Sequence, residues 1–105
     1  MKYLTISHLH DLFFTLSPEM QMQVIEVASA FTDKYRKAGK IKDVYIMVGS
    51  RKSMRIWEVE SAKEIDRLQL ENPMGPFMET EIHALCDYDG HVKACQEVLE
   101  PLTKK

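Results

Sequence analysis

The chain predicts an α+β domain of the ferredoxin-like type: a four-stranded antiparallel sheet with both main helices packed on one face. Three observations predict it. The 105 residues are enough for one domain with one core, so 1–105 reads as a single unit. Segments of period 2 and period 3.6 follow one another as β-α-β-β-α-β, with a terminal helix after them. The gap between the second and third strands is short enough to require a hairpin. Together these make a split βαβ arrangement.

Each element has a local reason. Residues 2–7 alternate Leu4 and Ile6 against Tyr3 and Thr5, a first strand. Residues 8–16 form a connection rich in Leu and Phe. Ser17-Pro18 opens a helix, since Ser accepts an orphan N–H and Pro suits the first helical position. Met20, Val24, Ala28, Phe31 and Tyr35 make its apolar stripe, and Gly39 follows its end. Residues 41–48 are a β-branched second strand closed by Gly49-Ser50, and residues 53–59 are the third. Ser61-Ala62-Lys63-Glu64 is a capping box that opens a second helix, with Ala62, Ile65 and Leu68 facing inward. Pro73, Gly75 and Pro76 break the chain before the fourth strand, residues 77–86. Asp89-Gly90 starts a third helix with Val92, Cys95, Val98 and Leu99 on one face, stopped by Pro101. Asp87, Tyr88 and Asp89 read as a turn and cap before it.

Composition narrows the function classes. With 45% hydrophobic and 29% charged residues the balance is that of a soluble protein. A net charge of −2 without a basic block argues against nucleic acid as a partner. No apolar run approaches the ~20 residues of a membrane span, and residues 1–8 lack the apolar centre of a signal peptide. Cys86 and Cys95 have no metal-ligand spacing and read as reduced packing residues of a cytoplasmic protein.

The sheet face away from the helices has no cover within the chain. By alternation it carries Tyr45, Met47, Trp57, Val59 and Leu85, an apolar surface that predicts association. A two-fold homodimer, sheet facing sheet, is the economical solution. A pocket between the sheets would be lined by Tyr3, Thr5, Tyr45, Arg55, Trp57, Glu79, Glu81 and His83. In the fourth strand Glu79, Glu81, His83 and Leu85 share one side, and Met78, Thr80, Ile82, Ala84 and Cys86 the other.

These residues resemble the muconolactone Δ-isomerase family, dimeric α/β-barrel proteins. The resemblance runs ungapped from Pro18 to Cys86. Pro18 and Gly39 fall on the family's helix-opening Pro and helix-ending Gly, Tyr45 and Gly49 on the bulky aromatic and closing Gly of its second strand. Trp57-Glu58-Val59 matches the aromatic-acidic-Val end of its third strand. Pro73, Pro76, Phe77, Met78, Glu79 and Glu81 match its Pro-x-x-Pro-aromatic-Met-acidic-x-Glu segment, followed by Leu85-Cys86. The resemblance implies a shift of a double bond within an unsaturated lactone by proton transfer, with no metal or organic cofactor, in dimers that build larger rings. This chain departs from the pattern at Ile46, where the family carries Arg, and at His83, where it carries an acid.

Glu81 and His83 are the candidate catalytic pair. Glu81 sits mid-strand on the face that a partner would cover, and the resemblance singles it out over Glu79. A carboxylate withdrawn from water holds a proton more readily, which suits it to take one beside a carbonyl and return it further along. His83, roughly 7 Å along the same face, is suited to polarise a carbonyl oxygen or pass the proton on. The plainer readings are an ion-paired strand Glu and a hydrogen-bonded interface His. Arg55 is the candidate clamp for a substrate carboxylate, or an ion-pair partner of Glu79 or Glu81. Tyr45 and Trp57 offer ring faces to a flat substrate or pack as interface core, with Tyr3 and Thr5 beside them. Glu81, His83 and a distant His8 or His91 make no metal-ligand motif.

Three functions compete: a cofactor-independent isomerase; a cofactor-free monooxygenase or polyketide cyclase on the same dimeric barrel; and a non-catalytic small-molecule-binding or assembly protein.

Overall fold

Alternating and helical segments fold in the expected order in the computed structural model, which describes residues 1–103. The elements are β1 (Lys2–Leu9), α1 (Asp11–Phe14), α2 (Pro18–Lys37), β2 (Ile41–Met47), β3 (Lys52–Glu58), α3 (Ala62–Glu71), β4 (Met78–Leu85) and α4 (Tyr88–Thr103). A single 3₁₀ turn, Gly75–Phe77, leads into β4. The sheet order is β2-β3-β1-β4, with every neighbouring pair antiparallel.

The helix ends follow their caps. Ser17 Oγ accepts the Met20 N–H at 3.2 Å, and Ser61 Oγ accepts the Glu64 N–H at 3.1 Å. α2 stops because Gly39 takes φ +75, which lets the Lys40 N–H reach back to the Tyr35 carbonyl at 2.9 Å. Two details differ from the sequence reading. The Leu- and Phe-rich connection contains the short helix α1, whose buried Phe13 meets Phe77 edge-to-face at 5.8 Å. The terminal helix continues past Pro101 to Thr103. A proline near a helix end forfeits one bond of the last turn rather than interrupting a continuing ladder.

The register decides which side chains lie inside. Tyr3 pairs with Trp57 and Ala84, and Thr5 with Arg55 and Ile82. These rows face the helices. Tyr3, Ile41 and Trp57 pack with Val59 and with Ile65 and Leu68 of α3 as the core, and Phe31 and Tyr35 of α2 close over it. The opposite face carries Leu4, Ile6, His8, Tyr45, Met47, Lys52, Met54, Ile56, Glu79, Glu81, His83 and Leu85. The sequence reading put Tyr3, Thr5, Arg55, Trp57 and Val59 on that open face, and the structure corrects it. Face parity passes from strand to strand only through the register, and a one-residue difference inverts it. Polar Thr5 goes inside because its hydroxyl oxygen accepts the Trp57 indole N–H at 2.9 Å. Both residues are closed to solvent, at 1% and 0% exposure.

α4 begins with Asp87 Oδ1 accepting the Gly90 N–H at 2.7 Å. It then projects from the body, which gives extents of 69 × 28 × 22 Å. No α4 residue is buried. Cys86 is exposed and Cys95 half-exposed on α4, so neither is the packing residue expected of it. Among the described residues no helix is long and apolar enough to cross a membrane.

Two tethers that hold α3 to the α2–β2 segment make stability pH-dependent. The Tyr35 hydroxyl donates to Glu71 Oε2 at 2.8 Å, and Arg67 Nε donates to Oε1 at 3.1 Å. These bonds, that from Tyr35 first, hold the Glu71 carboxyl below its usual range. Lys40, at 2.6 Å, does the same to Glu64. The folded chain therefore binds these two protons less tightly than the unfolded chain. Their contribution is present above the ordinary carboxylate range and is lost as pH falls through the depressed values. Melting temperature should fall between pH 6 and pH 3, and a Glu64→Gln, Glu71→Gln double variant should show a shallower fall; an equally steep one would contradict this assignment. Thr5→Val keeps the shape but leaves the buried indole N–H without an acceptor. It should destabilise the fold by about 1–3 kcal/mol in denaturant titration, and an unchanged midpoint would show that the bond contributes nothing.

Candidate active site

β4 is an edge strand, so its open-face side chains border only β1. Glu81 and His83 stand two residues apart on that face, with His83 Nε2 3.2 Å from Glu81 Oε2. A carboxylate can only accept, so in this bond Nε2 carries the proton, and in the neutral ring Nδ1 is left as an acceptor. Their side chains are 69% and 52% exposed in the single chain. Desolvation of Glu81 therefore requires a cover from outside the chain.

Beside this pair lies a depression of about 540 Å³ lined by Ile6, His8, Met47, Lys52, Glu79 and Glu81. The register explains the grouping. His8 pairs with both Glu79 and Lys52, and Ile6 pairs with Glu81. The row Glu79-His8-Lys52-Met47 runs straight across the sheet next to Glu81-Ile6-Met54-Tyr45. The Lys52 ammonium has no ion-pair partner among the described residues, so it is a cation available to an anionic substrate beside Glu79 and Glu81.

The remaining expected site residues do not join the pair within one chain. Tyr45 shares the open face but stands on the opposite edge strand, three strand spacings from Glu81 or roughly 14 Å. Tyr3, Thr5, Arg55 and Trp57 lie behind the sheet. Trp57 and Tyr3 are core, and Thr5 is the acceptor for the Trp57 indole. Arg55 turns toward α2, where its Nη2 donates to Thr32 Oγ1 at 3.0 Å. It cannot pair with Glu79 or Glu81 of the same chain, because the sheet separates them. Lys52 and His8 are what sequence reasoning missed. Their signal was parity: once β1 is turned with Thr5 inward, His8 and Lys52 fall on the side of Glu79. No group of three or more His, Cys, Asp or Glu among the described residues is placed to hold a metal ion.

A carboxylate hydrogen-bonded to an imidazole, beside a hollow with a free ammonium, can accept, hold and return a proton near a bound anion. Comparisons with known proteins bear on the fold and on the family. A solved muconolactone isomerase structure superposes with a TM-score of 0.74 over 84% of this chain and 91% of that chain, at 15% identity, which establishes the shared fold. The muconolactone Δ-isomerase of Rhodococcus opacus is 28% identical over 78 residues, covering 74% of this chain and 84% of that protein. The model of the family described as muconolactone delta-isomerase matches residues 2–91, and the chain belongs to that family.

Proposed function

We propose that this protein is a cofactor-independent isomerase that moves a carbon–carbon double bond within a small unsaturated lactone or cyclic acid. The observation that carries the reading is the Glu81–His83 hydrogen bond at the edge of the Lys52 depression. His83 holds Oε2, so Oε1 of Glu81 is the oxygen that works. It removes a proton from the carbon next to the lactone carbonyl: the C–H bond breaks, an O–H bond forms, and the electron pair spreads onto the carbonyl oxygen as a dienolate. The same proton then returns to the carbon at the far end of the conjugated system. Atoms and electrons balance by proton transfer alone, with no oxidant or reductant consumed. Lys52 receives the substrate carboxylate.

A second copy laid on the open face would withdraw Glu81 from water, as the uncovered Tyr45, Met47 and Leu85 invite. The exposure of Glu81 in the single chain also favours a second reading, an assembly module in which the sheet face only joins subunits. Kinetics on muconolactone separate the two. Glu81→Gln should keep the melting temperature and lose about 10²–10⁴-fold in kcat, followed through the olefinic proton signals. Full turnover by that variant would remove Glu81 from the mechanism, and no turnover by the parent protein would favour the assembly module. Lys52→Met should raise KM well above any loss in kcat, since it removes binding common to substrate and transition state; a change confined to kcat would contradict its binding role.

A further inference from the structure

α4 takes no part in the core, yet its residues are ordered for packing. Its 16 residues, Tyr88–Thr103, stand off the body and none is buried. The radius of gyration is 18.1 Å, against about 13 Å for a compact domain of this length. The stretch that the family model matches ends at residue 91, so most of α4 lies beyond it. A lone helix of this length is marginal in water, since few tertiary contacts offset its nucleation.

The spacing says what kind of cover suits it. Tyr88, His91, Cys95, Val98 and Leu102 recur at alternating steps of three and four, the a/d seam of a helix that packs along another helix. Tyr88, Val98 and Leu102 are open to solvent in the single chain. Asp89, Lys93, Glu97 and Glu100 all fall outside the seam by the same count. A second copy of α4 therefore meets no like charge across it. Two heptads are few for a coiled coil held by apolar contact alone, so the pairing needs a further tie.

The seam contains one. His91 and Cys95 stand one turn apart, with Cys95 Sγ 3.6 Å from His91 Nε2. Zinc bonds of about 2.1 Å to nitrogen and about 2.3 Å to sulfur, at the tetrahedral angle, hold those two atoms about 3.6 Å apart. The pair is thus spaced as one edge of a zinc tetrahedron. A thiol–imidazole hydrogen bond accounts for the distance, but not for the place of both groups in an apolar seam. Both side chains border the hollows on either side of this ridge, so the edge is open to a partner. Among the described residues no third His, Cys, Asp or Glu joins them to complete a site within one chain. A two-fold copy supplies the same two donors again. Each thiol releases its proton to solvent on binding, and two thiolates then cancel the charge of the ion. A neutral site suits the apolar Val92, Val98 and Leu99 beside it.

We infer that α4 pairs with α4 of a second copy around a zinc ion held by His91 Nε2 and Cys95 Sγ of both chains, a Cys₂His₂ site. It lies apart from the Glu81–His83 pair and does not rest on the isomerase reading.

Co²⁺ titrated into the full chain under a non-thiol reductant is the probe, with Zn²⁺ as competitor. The thiolate-to-cobalt band and the intense visible bands of tetrahedral Co²⁺ should appear, saturate at one ion per two chains, and vanish on addition of Zn²⁺. Affinity should fall at least tenfold with Cys95→Ser and with His91→Gln. It should fall as much with Val98→Glu, which keeps every donor but sets like charges across the seam. Val98 is exposed, so that variant leaves the body intact. Cys86, whose Sγ donates to the Asp87 carbonyl at 3.4 Å, is outside the seam, and Cys86→Ser should bind as the parent does. The inference is overturned by an octahedral spectrum or none, by saturation at one ion per chain, by unchanged affinity in Cys95→Ser or Val98→Glu, or by loss of binding in Cys86→Ser.

Discussion

The hydrogen bond from the Trp57 indole to the Thr5 hydroxyl is the contact on which the arrangement of the sheet depends. It joins two side chains that no solvent reaches, on the two central strands. Once Thr5 and Trp57 face the helices, strict alternation fixes every other position of β1 and β3, and the register carries that choice to β2 and β4. The core follows, with Tyr3, Ile41 and Trp57 beneath Ile65 and Leu68. The polar face follows as well, because Glu79, Glu81 and His83 are left on the outside together with Lys52 and His8. Replacing Trp57 by Ala would remove about 3–5 kcal/mol, a large part of the 5–15 kcal/mol that typically holds a domain together.

Much of this architecture was legible in the residues, for local reasons. Ser17-Pro18 and Ser61 with Glu64 announce helix starts through hydrogen bonds that the structure contains. Gly39 announces an end through a backbone angle that other residues rarely adopt. The two faces within the fourth strand were legible for the same reason, since alternation is internal to a strand. The relation between strands was not. It depends on pairing partners far apart in sequence and, in β2, on the irregularity between Ile41 and Asp43. Leu4 and Ile6 look more like core than Tyr3 and Thr5 do, and only the indole partner of Thr5 reverses that ranking. This is why Glu81 and His83 share a face as alternation within β4 requires, and why Arg55 and Trp57 were placed beside them in error. The separation of α4 from the body was equally invisible, because its stripe of Val92, Cys95, Val98 and Leu99 is what a packed helix would also show.

The partition of charged groups between the two faces gives the molecule its functional character. On the open face the acids, imidazoles and Lys52 are accessible and mutually adjacent, an arrangement suited to proton transfer on an anionic substrate. On the helix face one guanidinium is withdrawn from water and half satisfied. This chain has Lys52 on one face and Arg55 on the other. Both main chemical groups of the domain therefore sit where the β1–β3 register puts them.

The side of the sheet on which Trp57 lies is thus the central claim, and nuclear Overhauser contacts to its indole ring test it most directly. The account predicts contacts from the Trp57 ring to the methyl groups of Thr5, Ile65 and Leu68, and none to the imidazole of His83. Contacts between Trp57 and His83 within one chain, with none to Ile65 or Leu68, would contradict it.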